Sequence, residues 1–288
     1  MKFITLFLSI VSVCLSLEVD AVNWQVPNGQ TTLLEFNSIK GIEYKSVKLG
    51  KKSFTIFTKS NDKSKMYALI PFSYYEKVEN KKLLIEYKQD KKLKEESLLL
   101  KVINGNYAKE EIHVSSAKVN PKSKEVKARI SKEYNEAMKI YSTVTPKSYI
   151  SKPFIYPLDS KITSAFGKAR VYNGSLKGYH SGTDYRAAMG TQIIAANDAK
   201  VALVKKRFYS GGTVLLDHGQ GIYTCYFHMS AFNVKEGQIV KRGELLGLSG
   251  QSGRVTGPHL HFSARINAVQ VDPLQLISLL NKNLLTGN

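Results

Sequence analysis

Cysteine is scarce in this chain: Cys14 and Cys225 are the only two among 288 residues. Loss of the N-terminus leaves Cys225 alone, and one thiol forms no internal disulfide. A disulfide-stapled fold is therefore excluded, and stability has to come from packing or from a metal. Acidic residues are also few, 23 against 42 Lys and Arg, which gives a net charge of +19. That surplus favours polyanions such as nucleic acid, an anionic membrane or an acidic cell-envelope polymer, and it equally makes a soluble, Lys-rich surface. No basic helix, zinc-finger spacing or RNP-type run concentrates the charge, so nucleic acid is not indicated.

Long hydrophobic runs are missing too. The apolar run Phe3 to Leu15 has 13 residues, short of the roughly 20 that span a bilayer. Lys2 precedes it, and the small residues Cys14 and Ser16 sit at positions −3 and −1 of a cut before Leu17. This is the layout of a secretory signal peptide, residues 1–16. Its removal would leave no stable membrane span and would place the mature chain in the periplasm or cell envelope.

What is present suits a globular protein of two domains: 43% of residues are hydrophobic and 23% charged. Residues 17–120 read as a small β-sandwich-like accessory domain. Short segments rich in β-branched and aromatic residues (Thr31–Phe36, Ser53–Phe57, Met66–Ile70, Lys82–Tyr87, Ser97–Val102) alternate with turn formers such as Asn28-Gly29 and Asn104-Gly105-Asn106. His113 is isolated there and reads as a surface histidine. From residue 121 the period changes. Val126, Ile130, Tyr134, Ala137, Met138 and Tyr141 recur at three- and four-residue steps after Pro121, which predicts a connecting amphipathic helix. Thr145-Pro146 ends it, and an extended linker runs to residue 152. Residues 153–276 are β-rich with dense glycine, which suits tight turns in an antiparallel fold. Leu274–Leu285 reads as a terminal helix, with residues 277–288 as a tail.

Five of the six histidines fall in this last region: His180, His218, His228, His259 and His261. In a strand, His259 and His261 point to the same face. Such a pair can bind one metal together, or one can bind it while the other works as an acid or base. His180 and Asp184 bracket Ser-Gly-Thr, and glycines at 178 and 182 favour a loop running into a strand over a helix. A neutral imidazole and a carboxylate are both zinc ligands, so His180, Asp184 and one imidazole of the pair would supply three protein donors. The fourth position stays open, as in catalytic zinc sites. A structural zinc would call for four ligands, often cysteines. Asp217-His218 reads as a structural turn. Tyr223 and Tyr226 are either groove-lining or ordinary strand aromatics, and Arg254 and Thr256 are candidates for substrate contact.

His180-x-x-x-Asp184, Tyr226-Phe-His228-Met-Ser230 and Gly257-Pro-His259-Leu-His261-Phe262 together resemble the lysostaphin-type, LytM-like zinc peptidases of bacterial cell walls. The flanking Ser164-Ala-Phe-Gly167, Gly190-Thr191 and Ser249-Gly-x-Ser-Gly253 agree. The resemblance covers about residues 155–275 and implies a mainly antiparallel β fold with an open groove. It assigns one catalytic Zn2+ to His180, Asp184 and His261, and catalytic roles beside it to His228 and His259. It implies hydrolysis of amide bonds in peptidoglycan stem peptides or cross-links, with D,D-endopeptidase as the leading form and carboxypeptidase as a further one. The accessory domain would then be free to engage envelope proteins. Phe227 and Met229 depart from the commoner Tyr-Gly-His-Leu form. The other reading of the same fold is a catalytically silent activator of other wall hydrolases, and the filled set of five positions speaks against it.

Overall fold

A computed structural model describes residues 17–112, 121–172 and 175–285. The signal-peptide expectation for residues 1–16 and the surface expectation for His113 lie outside the described residues. Among the described residues the chain is mainly β with two helices, Lys124–Tyr141 and Pro273–Asn283. Neither is long and apolar enough to cross a membrane.

The N-terminal part is a sandwich of a four-stranded and a five-stranded sheet. Leu34 and Phe36 from one sheet and Val47, Leu83, Ile85 and Leu100 from the other share one core. The strands Thr31–Asn37 and Lys65–Pro71 are buried on both faces. Side chains alternate along a strand, so Leu34 and Ile70 enter the sandwich core while Leu33, Tyr67 and Leu69 enter the core of the C-terminal part. This double burial explains why these two strands read as nearly continuous apolar runs.

The C-terminal part is built on an eight-stranded sheet in which Thr183–Arg186, His259–Ile266, Ile222–Met229, Gly211–Asp217 and Ala199–Arg207 lie side by side, antiparallel. One face packs Val214, Leu216, Tyr226 and Phe262 against the C-terminal helix through Leu276, Ile277 and Leu280. Residues 277–283 thus continue that helix into the core. The other face packs Leu203, Leu215, Tyr223 and Cys225 against Ala137 and Tyr141 of the long helix. Tyr223 and Tyr226 are core aromatics, almost fully buried.

The long helix starts at Lys124, with Ser123 as its cap accepting from the Val126 amide. Its buried residues are Glu133, Ala137 and Tyr141, whereas Tyr134 is exposed. The apolar stripe expected through Tyr134 is therefore rotated by one residue. The reason is polar: Glu133 accepts from the Phe208 amide (2.8 Å) and from Arg129 (2.8 Å), fastening the helix to the hairpin turn after Arg207.

His218 is fully buried, with Nδ1 2.9 Å from the Asp198 carbonyl and Nε2 2.7 Å from Thr224 Oγ1. Burial pushes its pKa down to about 4. The unfolded imidazole takes its proton below about pH 6.5, while the folded one stays neutral until about pH 4. Stability is therefore lost as pH falls through that window, by up to roughly 3 kcal/mol from this residue. His218→Gln should show a shallower fall in thermal stability between pH 6.5 and 4 than the wild type; equal slopes would refute the assignment.

Candidate metal centre

Asp184 and His261 face each other across neighbouring antiparallel strands. Their side chains meet at 2.7 Å, Oδ1 to Nδ1. Gly182 lets the strands come this close: a Cβ there would fall 2.4 Å from the Phe262 carbonyl and 2.6 Å from His261 Nε2. His180 enters from the loop before Thr183, its Nε2 at 2.9 Å from Asp184 Oδ1 and 3.0 Å from His261 Nδ1. Its backbone is clamped by hydrogen bonds with Gly167 and Lys168. Its Nδ1–H donates to the Ala165 carbonyl (2.8 Å). The Ser164–Gly167 motif thus fixes the tautomer of His180.

That tautomer leaves a lone pair on His180 Nε2 aimed at a carboxylate oxygen and a second imidazole nitrogen. All three donor atoms lie within 4.8 Å of one another. A carboxylate oxygen and two imidazole nitrogens this close in a buried site call for a shared positive centre, a metal ion or a proton. The nitrogen–oxygen donor set fits a zinc ion held by two His and one Asp. Burial pushes the Asp184 carboxyl up, but the adjoining His180 and His261 imidazoles outweigh this and hold it well below the ordinary carboxylate range. Burial is the main cause lowering His261, to about 4.

Two further imidazoles stand beside this triad. His259 donates its Nδ1–H to the Gly257 carbonyl (2.9 Å), and its Nε2 lies 3.7 Å from Asp184 Oδ1. His228 donates its Nδ1–H to the Ser252 carbonyl (2.8 Å), and its ring centre is 4.8 Å from that of His259. Burial, with the neighbouring imidazoles, lowers His228 to about 3, so it is neutral at physiological pH. His228 also has a left-handed backbone, φ 63°. Strand pairing slips there: Gly212 pairs Met229 and Val214 pairs Tyr226, which sets two residues against one. Such a bulge re-aims a side chain. Tyr226 points into the core, and regular alternation would send His228 after it. The bulge requires close backbone approach, since a Cβ on Gly212 would fall 2.1 Å from the Met229 carbonyl.

The structure thus gathers His180, Asp184, His228, His259 and His261 and leaves His218 apart in the core. Arg254 and Thr256 line the same groove, of about 1020 Å³. The Arg254 guanidinium lies 4.4 Å over the Tyr209 ring. Phe227 stacks nearly parallel on the His261 imidazole, 7° between planes. Sequence reasoning missed the long helix as a wall of this groove, through Ile130, Tyr134 and Met138. The apolar stripe was the available signal, but its exposed edge was read as packing. It also missed Glu110 and Arg170, which reach the site from two separate segments.

Three nitrogen and oxygen donors in an open groove, with two further imidazoles beside them, form a cluster that could hold a metal ion on an antiparallel β scaffold. The model of peptidase family M23 matches residues 178–273. It is 38% identical over 123 residues to the peptidoglycan DD-endopeptidase ShyA of Vibrio cholerae, covering 42% of this chain and 29% of ShyA. It is 37% identical over 125 residues to the DD-carboxypeptidase/endopeptidase Mpg of Neisseria meningitidis, covering 43% of this chain and 28% of Mpg. The chain therefore spans less than a third of the length of these relatives. A crystal structure of a putative peptidase M23 from Pseudomonas aeruginosa superposes with a TM-score of 0.67 at 26% identity, covering 88% of this chain and 95% of that one. The likeness to that protein thus extends beyond residues 178–273 into the N-terminal part.

Proposed function

We propose that this chain is a zinc-dependent peptidase of the bacterial cell envelope that hydrolyses amide bonds in peptidoglycan cross-links, as a D,D-endopeptidase. The observation that carries this is the convergence of His180 Nε2, Asp184 Oδ1 and His261 Nδ1 in the groove. These three atoms would hold the ion. Zinc bound there supplies Lewis-acid polarisation of the scissile carbonyl and lowers the pKa of water to about 7. His228 and His259, each with its Nδ1–H tied to a carbonyl, keep Nε2 as a proton acceptor. A neutral Nε2 takes the proton of the attacking water, and the resulting imidazolium then donates to the oxyanion or to the leaving amine. Phe227, flat against His261, limits the swing of that ring. Lys122, Lys127, Arg170, Arg207, Arg254 and Arg265 line the groove against two acidic residues, Glu133 and Asp184. That charge favours the carboxylate-bearing stem peptides of the wall.

We also propose that residues 1–16 direct export to the periplasm, that residues 17–120 form an accessory domain able to engage envelope proteins, and that residues 153–276 are the peptidase domain. The deciding experiment is digestion of purified cross-linked peptidoglycan by residues 17–288, with products resolved by chromatography and mass spectrometry. Chelator-sensitive conversion of cross-linked dimers to monomers is expected. Shortened monomer stems alone would make it a carboxypeptidase, and no product from zinc-loaded protein would overturn the enzymatic reading.

A further inference from the structure

The strand Lys109–Ile112 precedes the long helix by more than ten residues, yet it pairs in parallel with Ala169–Tyr172, with Glu110 opposite Arg170. Its carboxylate is a point of convergence. Arg170 Nη1 donates to Glu110 Oε2 at 2.9 Å, and Lys168 Nζ donates to Oε1 at 3.2 Å. The Ser164 hydroxyl donates to both carboxylate oxygens, at 3.1 and 3.2 Å. The groups that Glu110 holds are those that touch the metal donors. Ser164 Oγ lies 3.2 Å from His180 Nδ1. Because its own proton goes to Glu110, its lone pair faces that N–H. The His180 Nδ1–H, whose nearer acceptor is the Ala165 carbonyl at 2.8 Å, thus has Ser164 Oγ as a second, longer contact, and Ser164 O–H leads on to the Glu110 carboxylate. On the other side, Arg170 Nη2 stands 3.5 Å from Asp184 Oδ2.

We infer that Glu110 is a positioning residue for the metal site, supplied by the accessory segment and acting through Ser164 on His180 and through Arg170 on Asp184. The inference rests on the metal-peptidase reading of that site. Two physical effects follow from the geometry. The negative end of the Ser164 relay strengthens His180 as a donor and holds its ring orientation, as carboxylates behind metal-bound imidazoles do. The Glu110 carboxylate also keeps the guanidinium occupied. The Arg170–Glu110 contact is the shorter, 2.9 Å against 3.5 Å to Asp184. Without its acid, Arg170 closes on Asp184, satisfies the carboxylate and competes with the cation. The peptidase site is then complete only when the accessory strand is docked.

The test is Glu110→Gln in the full chain, with zinc affinity measured by competition against a chromogenic chelator. The amide keeps the size of the side chain and removes its charge. Affinity should fall by about 10- to 100-fold, and peptidoglycan hydrolysis at limiting zinc should fall with it. The double variant Glu110→Gln/Arg170→Gln should recover most of the affinity, because the competing guanidinium is gone. A purely structural ion pair predicts the opposite: lower melting temperature in both variants and no recovery of affinity. Unchanged zinc affinity in Glu110→Gln overturns the inference, as does a double variant no better than the single one. Wild-type protein that binds one zinc and hydrolyses no peptidoglycan would overturn the peptidase reading and leave the role of Glu110 standing.

Discussion

Asp184→Asn is expected to lose zinc and turnover together while remaining folded. Asp184 Oδ1 is the atom that both imidazoles share, at 2.9 Å from His180 Nε2 and 2.7 Å from His261 Nδ1. The carboxylate is the single negative charge of the triad. An amide is isosteric, and its Nδ2–H groups can donate to the imidazole lone pairs, so the buried site stays satisfied without a cation. The same change that removes the metal therefore removes the reason for it. Loss of Lewis-acid stabilisation amounts to several kcal/mol, which is about 10³-fold or more in kcat/KM. Metal content by mass spectrometry, a thermal melt and peptidoglycan digestion on the same preparation read the three consequences separately. A folded variant that keeps one equivalent of zinc would break the ligand assignment.

The site was legible wherever chemistry was written in residue type and spacing. His-x-His on a strand, and a His and an Asp bracketing Ser-Gly-Thr, need no tertiary knowledge to suggest a metal. The fold class was legible for the same reason: period-two segments punctuated by glycine describe antiparallel sheets. What escaped was set by contacts between distant segments. The strand Ile42–Leu49 breaks its alternation at Lys45-Ser46, where the pairing register shifts, so no period-two signal stands out in the sequence. Its Val47 is nonetheless fully buried between sheets. Glu133 broke the apolar rule on the long helix because its partners are a backbone amide at Phe208 and an arginine one turn away. Glu110 gave no local sign at all, since an isolated glutamate in a Lys-Glu-Glu run reads as surface charge. Its meaning exists only once strand pairing sets it against Arg170.

The second large effect belongs to His228, and its local backbone decides how it should be tested. A residue at φ 63° disfavours most side chains, whereas Asn tolerates the left-handed region. His228→Asn can keep the bulge, and its side-chain amide can replace the Nδ1–H bond to the Ser252 carbonyl, 2.8 Å in the wild type. What it cannot replace is Nε2 as a proton acceptor. The variant should therefore hold zinc as the wild type does, show a similar KM, and lose about 10²- to 10⁴-fold in kcat, the range for a positioned acid–base group. His228→Val separates shape from chemistry: a β-branched side chain at this φ should in addition lower stability, by roughly 1–3 kcal/mol. An unchanged kcat in His228→Asn removes His228 from the reaction. Loss of zinc in the same variant would make it part of the hold on the metal, and the proton would then have to pass through His259 alone, which His259→Asn would reveal by abolishing turnover with the zinc in place.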